Sequence, residues 1–186
     1  MFNQYKKTIF IILLTAAWIA VFVFIDAQSL VESIGTENGY LIASLIALIG
    51  GSSSFTSTSY IASIAYFSTT ELNPFLLALF AGSALTIGDS IFYFLTRKGR
   101  DSFPESWDSS IKKVTKWLHE KPLIVVQILS FVYTGLTPFP GDLLMVLLSL
   151  SQYSFKKVYL AIWLGNISLI LIIYYLTKNG YQALGG

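Results

Sequence analysis

The sequence predicts an all-α polytopic membrane protein with three transmembrane helices, two re-entrant helical hairpins in an inverted repeat, and an interfacial amphipathic helix. Three observations predict it. The chain of 186 residues is 54% hydrophobic and only 12% charged, where a soluble domain carries about a quarter charged residues. Its charges are segregated: 8–25, 38–70, 72–88, 122–141 and 158–177 carry none. Two of the apolar stretches are broken by turn-forming residues, at Gly50-Gly51-Ser52-Ser53-Ser54 and at Gly135-Leu136-Thr137-Pro138-Phe139-Pro140-Gly141-Asp142.

The elements follow in order within a single membrane domain over 1–186. The run 8–25 follows Lys6 and Lys7. It is long for the apolar part of a cleaved leader, and no small-x-small site follows Ile25, so it reads as an uncleaved signal anchor. The stretches 40–67 and 122–150 are each too short for two crossings and a turn, given roughly 20 residues per crossing. The runs 74–96 and 158–177 are uninterrupted spans.

Charge decides between one kinked crossing and a re-entrant hairpin. Lys6 and Lys7 place the N-terminus in the cytoplasm; 26–40 holds Asp26, Glu32 and Glu37 with no Lys or Arg; 97–121 holds seven basic residues. By the positive-inside rule the first loop is outside and the second inside. Span 74–96 supplies the one crossing needed between them, so 40–67 enters and leaves on the outer side. The same reading makes 122–150 a hairpin from the cytoplasm, returning to Lys156 and Lys157, after which 158–177 exits and the C-terminus lies outside. One crossing per unit makes the two units inverted relative to each other. The stretch Tyr93-Phe94-Leu95-Thr96-Arg97-Lys98-Gly99 echoes Tyr174-Tyr175-Leu176-Thr177-Lys178-Asn179-Gly180. Between the units, residues 107–118 put Trp107, Ile111, Val114, Trp117 and Leu118 on one helical face and Lys112, Lys113 and Lys116 opposite, the pattern of a helix lying in the headgroup zone.

Candidate functional residues collect at the breaks. Irregular backbone in a bilayer needs shielding by protein or a watery cavity. The first tip, Ser52–Ser59, is rich in hydroxyls, Ser57 and Ser59 among them; the second offers Thr137, Pro138, Pro140 and Gly141. Carboxylates at depth cost at least ~2.5 kcal/mol on insertion scales and therefore face a cavity or a partner. Asp142 reads either as a proton or headgroup site or as the N-cap of the next helix. Asp89 reads as a site of the same kind or as a buried hydrogen bond to a facing hydroxyl, and Asn166 as an interhelical hydrogen bond. Arg97 reads as a snorkelling anchor or a phosphate contact. Ala78, Gly82, Thr86 and Ser90, and likewise Ala161 and Gly165, recur every four residues and read as close-packing scaffold.

These residues carry a resemblance. Gly88-Asp89-Ser90-Ile91-Phe92-Tyr93-Phe94-Leu95-Thr96-Arg97-Lys98 resembles the Gly-Asp-x3-Tyr-x2-Gly-Arg-Arg signature of the DedA membrane proteins, also called the VTT or SNARE-associated Golgi family. Pro138-Phe139-Pro140-Gly141-Asp142-Leu143-Leu144, with Gly165 downstream and Asn73-Pro74 before the second span, is similar to the short YqaA-type branch. The resemblance covers about 40–178. It implies two inverted hairpins facing each other and a flippase or scramblase activity on phospholipids or polyprenyl phosphates, often linked to the proton gradient. On it, Asp142 is the hairpin carboxylate, and Asp89 and Arg97 are the motif residues. The chain departs from the pattern in four places. Thr56 and Tyr60 stand where many members carry Pro and Glu, Tyr133–Thr137 contains no arginine, and Thr96 replaces a glycine.

The expected function is lipid transport, with membrane lipids, a phosphate-bearing headgroup and protons as partners, in the inner or plasma membrane. A small-ion or small-solute transporter and a non-transporting assembly protein are the alternatives. A homo-oligomer is left open by the sequence. No nucleic-acid stripe is present. Cysteine is absent and His119 is the sole histidine, so no metal cluster, cofactor, catalytic set or enzyme is expected.

Overall fold

Asn73 and Pro74 set the start of the first long helix. The Asn73 side-chain oxygen accepts from the N–H groups of Phe75 (2.9 Å) and Leu76 (3.2 Å). Pro74 occupies the first helical turn, where its missing N–H costs nothing. In the computed structural model, which describes residues 38–50, 57–99, 108–137 and 141–183, every element is helical. The elements are α1 (Gly39–Gly50), α2 (Ser57–Ser68), α3 (Pro74–Lys98), α4 (Asp108–Glu120), α5 (Leu123–Leu136), α6 (Gly141–Leu150) and α7 (Phe155–Ala183). The expected span 8–25, Trp107, Thr56, Pro138 and Pro140 lie outside the described residues.

Length separates two classes of helix. With 25 and 29 residues, α3 and α7 run about 37 and 43 Å at 1.5 Å per residue, and both are long and apolar enough to cross a membrane. The helices α1, α2, α5 and α6 have 12, 12, 14 and 10 residues. At about 15–21 Å each, none covers a hydrocarbon core of about 30 Å. They fall on the two interrupted stretches, α1 and α2 on the first and α5 and α6 on the second.

The return from α6 to α7 is a tight C-cap. Tyr153 N–H donates to the Leu148 carbonyl (2.9 Å) and Gln152 N–H to the Ser149 carbonyl (3.0 Å), the paired bonds of a Schellman turn. Gln152 supplies the left-handed residue, at φ 53°, where glycine is usual.

Packing follows an alternating plan. The long helices α3 and α7 touch each other; α1 packs on α3 and α5 on α7; α2 packs on α7 and α6 on α3. Each short pair therefore straddles both long helices. One apolar cluster joins Ile42, Ile46, Ile64, Phe67, Leu77 and Tyr174; the other joins Tyr93, Val126, Met145, Leu148, Val158 and Ile162. Outward from both, α3 turns Phe75, Phe80, Ile87 and Phe94 to the surroundings, and α5 and α7 do the same with Ile124, Ile128, Leu160 and Leu176. So continuous an apolar exterior on several helices exceeds what water normally tolerates and fits lipid contact.

Contacts recur 81 positions apart. Tyr93 donates its hydroxyl to the Tyr153 carbonyl (2.7 Å), just before α7; Tyr174 donates to the Leu72 carbonyl (3.2 Å), just before α3. Arg97 lies over the Tyr93 ring and Lys178 over the Tyr174 ring. Ser68 bonds back to the Ala65 carbonyl and Ser149 to that of Val146. Ile64 and Phe67 are fully buried, as are Met145 and Leu148.

The connector α4 extends two residues beyond its expected end. Leu118 is buried, Ile111 and Val114 are half-buried, and Lys112, Lys113 and Lys116 are exposed. The helix rests on α6.

Candidate functional site

Polar groups meet where α3 crosses α7. Gly82 permits the approach: a Cβ there would stand 3.0 Å from the Ile167 backbone. One turn along, the Asn166 amide donates to the Thr86 hydroxyl (3.0 Å) and to the Asp89 carboxylate (2.8 Å), while Thr86 donates to the Gly82 carbonyl. All three side chains are buried, Asp89 and Asn166 at 3% exposure. A second interhelical bond, from Trp163 Nε1 to Ser83 Oγ (2.9 Å), fixes the same crossing. The facing partner of Asp89 is thus an amide on α7, where the sequence suggested a hydroxyl; Thr86 shares the Asp89 helix.

Helix α6 begins on this cluster. A Cβ on Gly141 would lie 3.1 Å from Asp89 Oδ1, so α6 begins directly against the carboxylate. Asp142 stands inside the first turn of α6. This corrects its assignment as an N-cap: its charge faces the positive end of the helix from within the helix itself. Asp142 is within electrostatic reach of Asp89, of Tyr60 on α2 and of Tyr133 on α5. Tyr60 is buried against Gly50 at the end of α1. Helices α2 and α6 therefore bring Tyr60 and Asp142 toward Asp89.

Gly165, next to Asn166 on α7, packs against α5. A Cβ there would meet the Phe131 carbonyl at 3.0 Å and the Gly135 nitrogen at 3.2 Å. Its close neighbours belong to α5, so this glycine seats the second hairpin on α7, while Gly82 alone of the two lies on the α3–α7 contact. Thr137 caps the end of α5 by donating to the Tyr133 carbonyl (2.6 Å).

Of the residues singled out by sequence, Asp89, Asn166 and Gly141 are in contact, and Asp142 and Tyr60 lie within charge range. Ser57 and Ser59 fall in the first turn of α2. Arg97 is elsewhere: it sits about 12 Å further along α3, exposed, with Nη1 donating to the Tyr93 hydroxyl (2.5 Å). Sequence reasoning read Thr86 only as a small packing residue and gave no role to Tyr93, Tyr174 or Tyr133. The 81-residue spacing was the available signal for the first two tyrosines. Among the described residues no buried side-chain nitrogen or oxygen lacks a partner, and no group of three metal-ligating side chains occurs. Comparison with protein-family models, characterised proteins and solved structures finds no match.

Proposed function

We propose that the chain is a DedA-like membrane transporter that moves lipids between leaflets, with the notch between its two hairpins as the polar path. One observation carries the reading: a fully enclosed carboxylate and amide, Asp89 and Asn166, sit at the crossing of two membrane-length helices, where α6 of the second interrupted stretch begins and Tyr60 of the first comes within charge range. An ionisable group at such depth is costly and marks a pathway or a partner. Half-length helices ending on it present backbone ends and polar side chains where full-length spans would present none.

The alternating packing, with each short pair straddling both long helices, and the contacts repeated at 81 positions favour two equivalent units. An inverted arrangement of these units places the polar breaks at one depth, approached from opposite faces. A headgroup crosses in the notch while its acyl chains stay against the apolar exterior. Asp89 and Asp142 form the proton-sensitive pair. The expected site is the cell membrane, with the N-terminus in the cytoplasm and the C-terminus outside.

Purified protein in liposomes tests this. Labelled phospholipid or polyprenyl phosphate should equilibrate between leaflets faster than in protein-free vesicles, and Asp89→Asn and Asp142→Asn should each remove the acceleration. Absence of movement with both lipids defeats the proposal. The burial of Asp89 also favours a second reading, a small-ion transporter through the same cluster. Ion flux that Asp89→Asn abolishes, without lipid movement, would select it.

A further inference from the structure

The 81-residue correspondence supplies an internal control for charge. The two tyrosine pins are alike in geometry: each hydroxyl holds the carbonyl two residues before the opposite long helix. Their surroundings differ. Around the Tyr174 pin, the carbonyl belongs to Leu72, and the next helix opens with Phe75 and Leu76; Lys178 is the cation over the ring. At the matching positions around the Tyr93 pin stand Tyr153, Lys156, Lys157 and Arg97. At these matched positions the Tyr93 pin carries three cations and the Tyr174 pin one.

These basic groups come from three separate elements. Arg97, on α3, donates to the Tyr93 hydroxyl and lies over that ring. Lys157, on α7, places its ammonium 5.7 Å from the centre of the Tyr153 ring. His119, on α4, packs edge-on against the same ring at 5.5 Å. Its Nδ1 lies 2.9 Å from the Thr115 carbonyl; a carbonyl only accepts, so Nδ1 carries the hydrogen and Nε2 is left for another partner. Arg97, His119 and Lys157 are all exposed. Among the described residues the ion pair within 4.0 Å is Lys116–Glu120, which involves none of them. The guanidinium and the ammonium, beside the Tyr93 and Tyr153 rings, supply the charge and the N–H donors that a phosphate group takes, and the imidazole adds an Nε2 donor in its protonated form.

We infer that Arg97, His119 and Lys157, gathered on the Tyr93–Tyr153 pin, form a one-sided binding site for a phosphate-bearing anion. The site is remote from the Asp89 cluster. If the chain transports lipid, it is where a phosphate headgroup is first held; binding is measured without transport, so the failure of either idea leaves the other standing.

Calorimetric titration of the full chain in neutral-detergent micelles tests the inference with three probes: dihexanoyl phosphatidic acid, dihexanoyl phosphatidylcholine and inorganic phosphate. The phosphatidic acid should bind saturably and at least about tenfold more tightly than the choline ester, with about a further tenfold loss in Arg97→Gln/Lys157→Gln. Lys112→Gln/Lys113→Gln removes the same charge about 9–11 Å along α4 from His119, where solvent screens it, and should leave affinity within about twofold. Because Arg97 also supports the pin, Lys157→Gln alone keeps the test independent of folding and should weaken binding by about threefold or more. Equal weakening by the Lys112/Lys113 pair would reduce the effect to general surface attraction and overturn the inference, as would the absence of saturable binding. Inorganic phosphate binding as tightly as phosphatidic acid would uphold the site and assign it to free phosphate; weaker binding assigns it to a lipid headgroup.

Discussion

Asp89 shares its burial with one amide, and that pairing determines which substitutions the fold tolerates. Asp89→Asn keeps the volume and an oxygen that accepts from Asn166, so thermal unfolding in detergent should change by less than about 1 kcal/mol. Asn166→Leu removes the donor to both Asp89 and Thr86 and strands a buried carboxylate, at a cost of about 1–3 kcal/mol or more. The order matters more than the size. If Asp89→Asn proves the more damaging, the carboxylate is a structural group and its role in transport falls. Gln152 offers a change of opposite sign. Its φ of 53° costs a side-chain-bearing residue about 1–2 kcal/mol, and glycine returns part of that in unfolded-state entropy. Gln152→Gly should therefore raise stability by about 0.5–1 kcal/mol in the same melt; a loss would mean the Gln152 side chain contributes contacts beyond its exposed position.

At the scale of elements, the tyrosine pins join each long helix to the segment that leaves the opposite hairpin. Tyr174→Phe deletes the hydroxyl bond to Leu72, and Tyr93→Phe deletes both the bond to Tyr153 and the one accepted from Arg97, each worth about 0.5–1.5 kcal/mol. Hydrogen exchange should quicken locally and crosswise: Tyr93→Phe around 151–154 and the end of α6, Tyr174→Phe around 69–73 and the end of α2. Faster exchange at both places in either variant would show that the pins do not act separately. The sequence made the elements legible because charge-free length and turn residues act locally: α3 starts where Asn73-Pro74 starts it, and Gly50-Gly51 and Thr137–Pro140 mark the breaks. It did not reveal that Gly165 seats α5 or that Asn166 faces Asp89. Both are pairings between helices, about 30 residues apart in sequence for Gly165 and about 80 for Asn166, and a four-residue spacing of small side chains shows that a face is close-packed without naming what packs there. Asp142 was visible as a carboxylate near a break, but whether it precedes α6 or lies within it depends on one residue of helix end, the least legible feature of a sequence.

For the whole molecule, charge placement outside the helices is the independent check on the inverted arrangement. A straight count of five apolar stretches as five crossings would put the seven basic residues of 97–121 outside, against the positive-inside bias. Four short helices that cannot span favour three crossings instead. The chain contains no cysteine, so one introduced thiol reports one location without background. In intact cells an impermeant maleimide should label Gly35→Cys and Ala183→Cys, and should label Ser110→Cys only after the membrane is opened. Residues 110 and 183 must then lie on opposite faces, because α7 alone crosses between them once 122–150 returns to its own side. If residue 183 is protected together with residue 110, an even number of crossings separates them. The second unit would then run in the same sense as the first, the two breaks would open to one face, and a notch reached from both leaflets would lose its geometric basis.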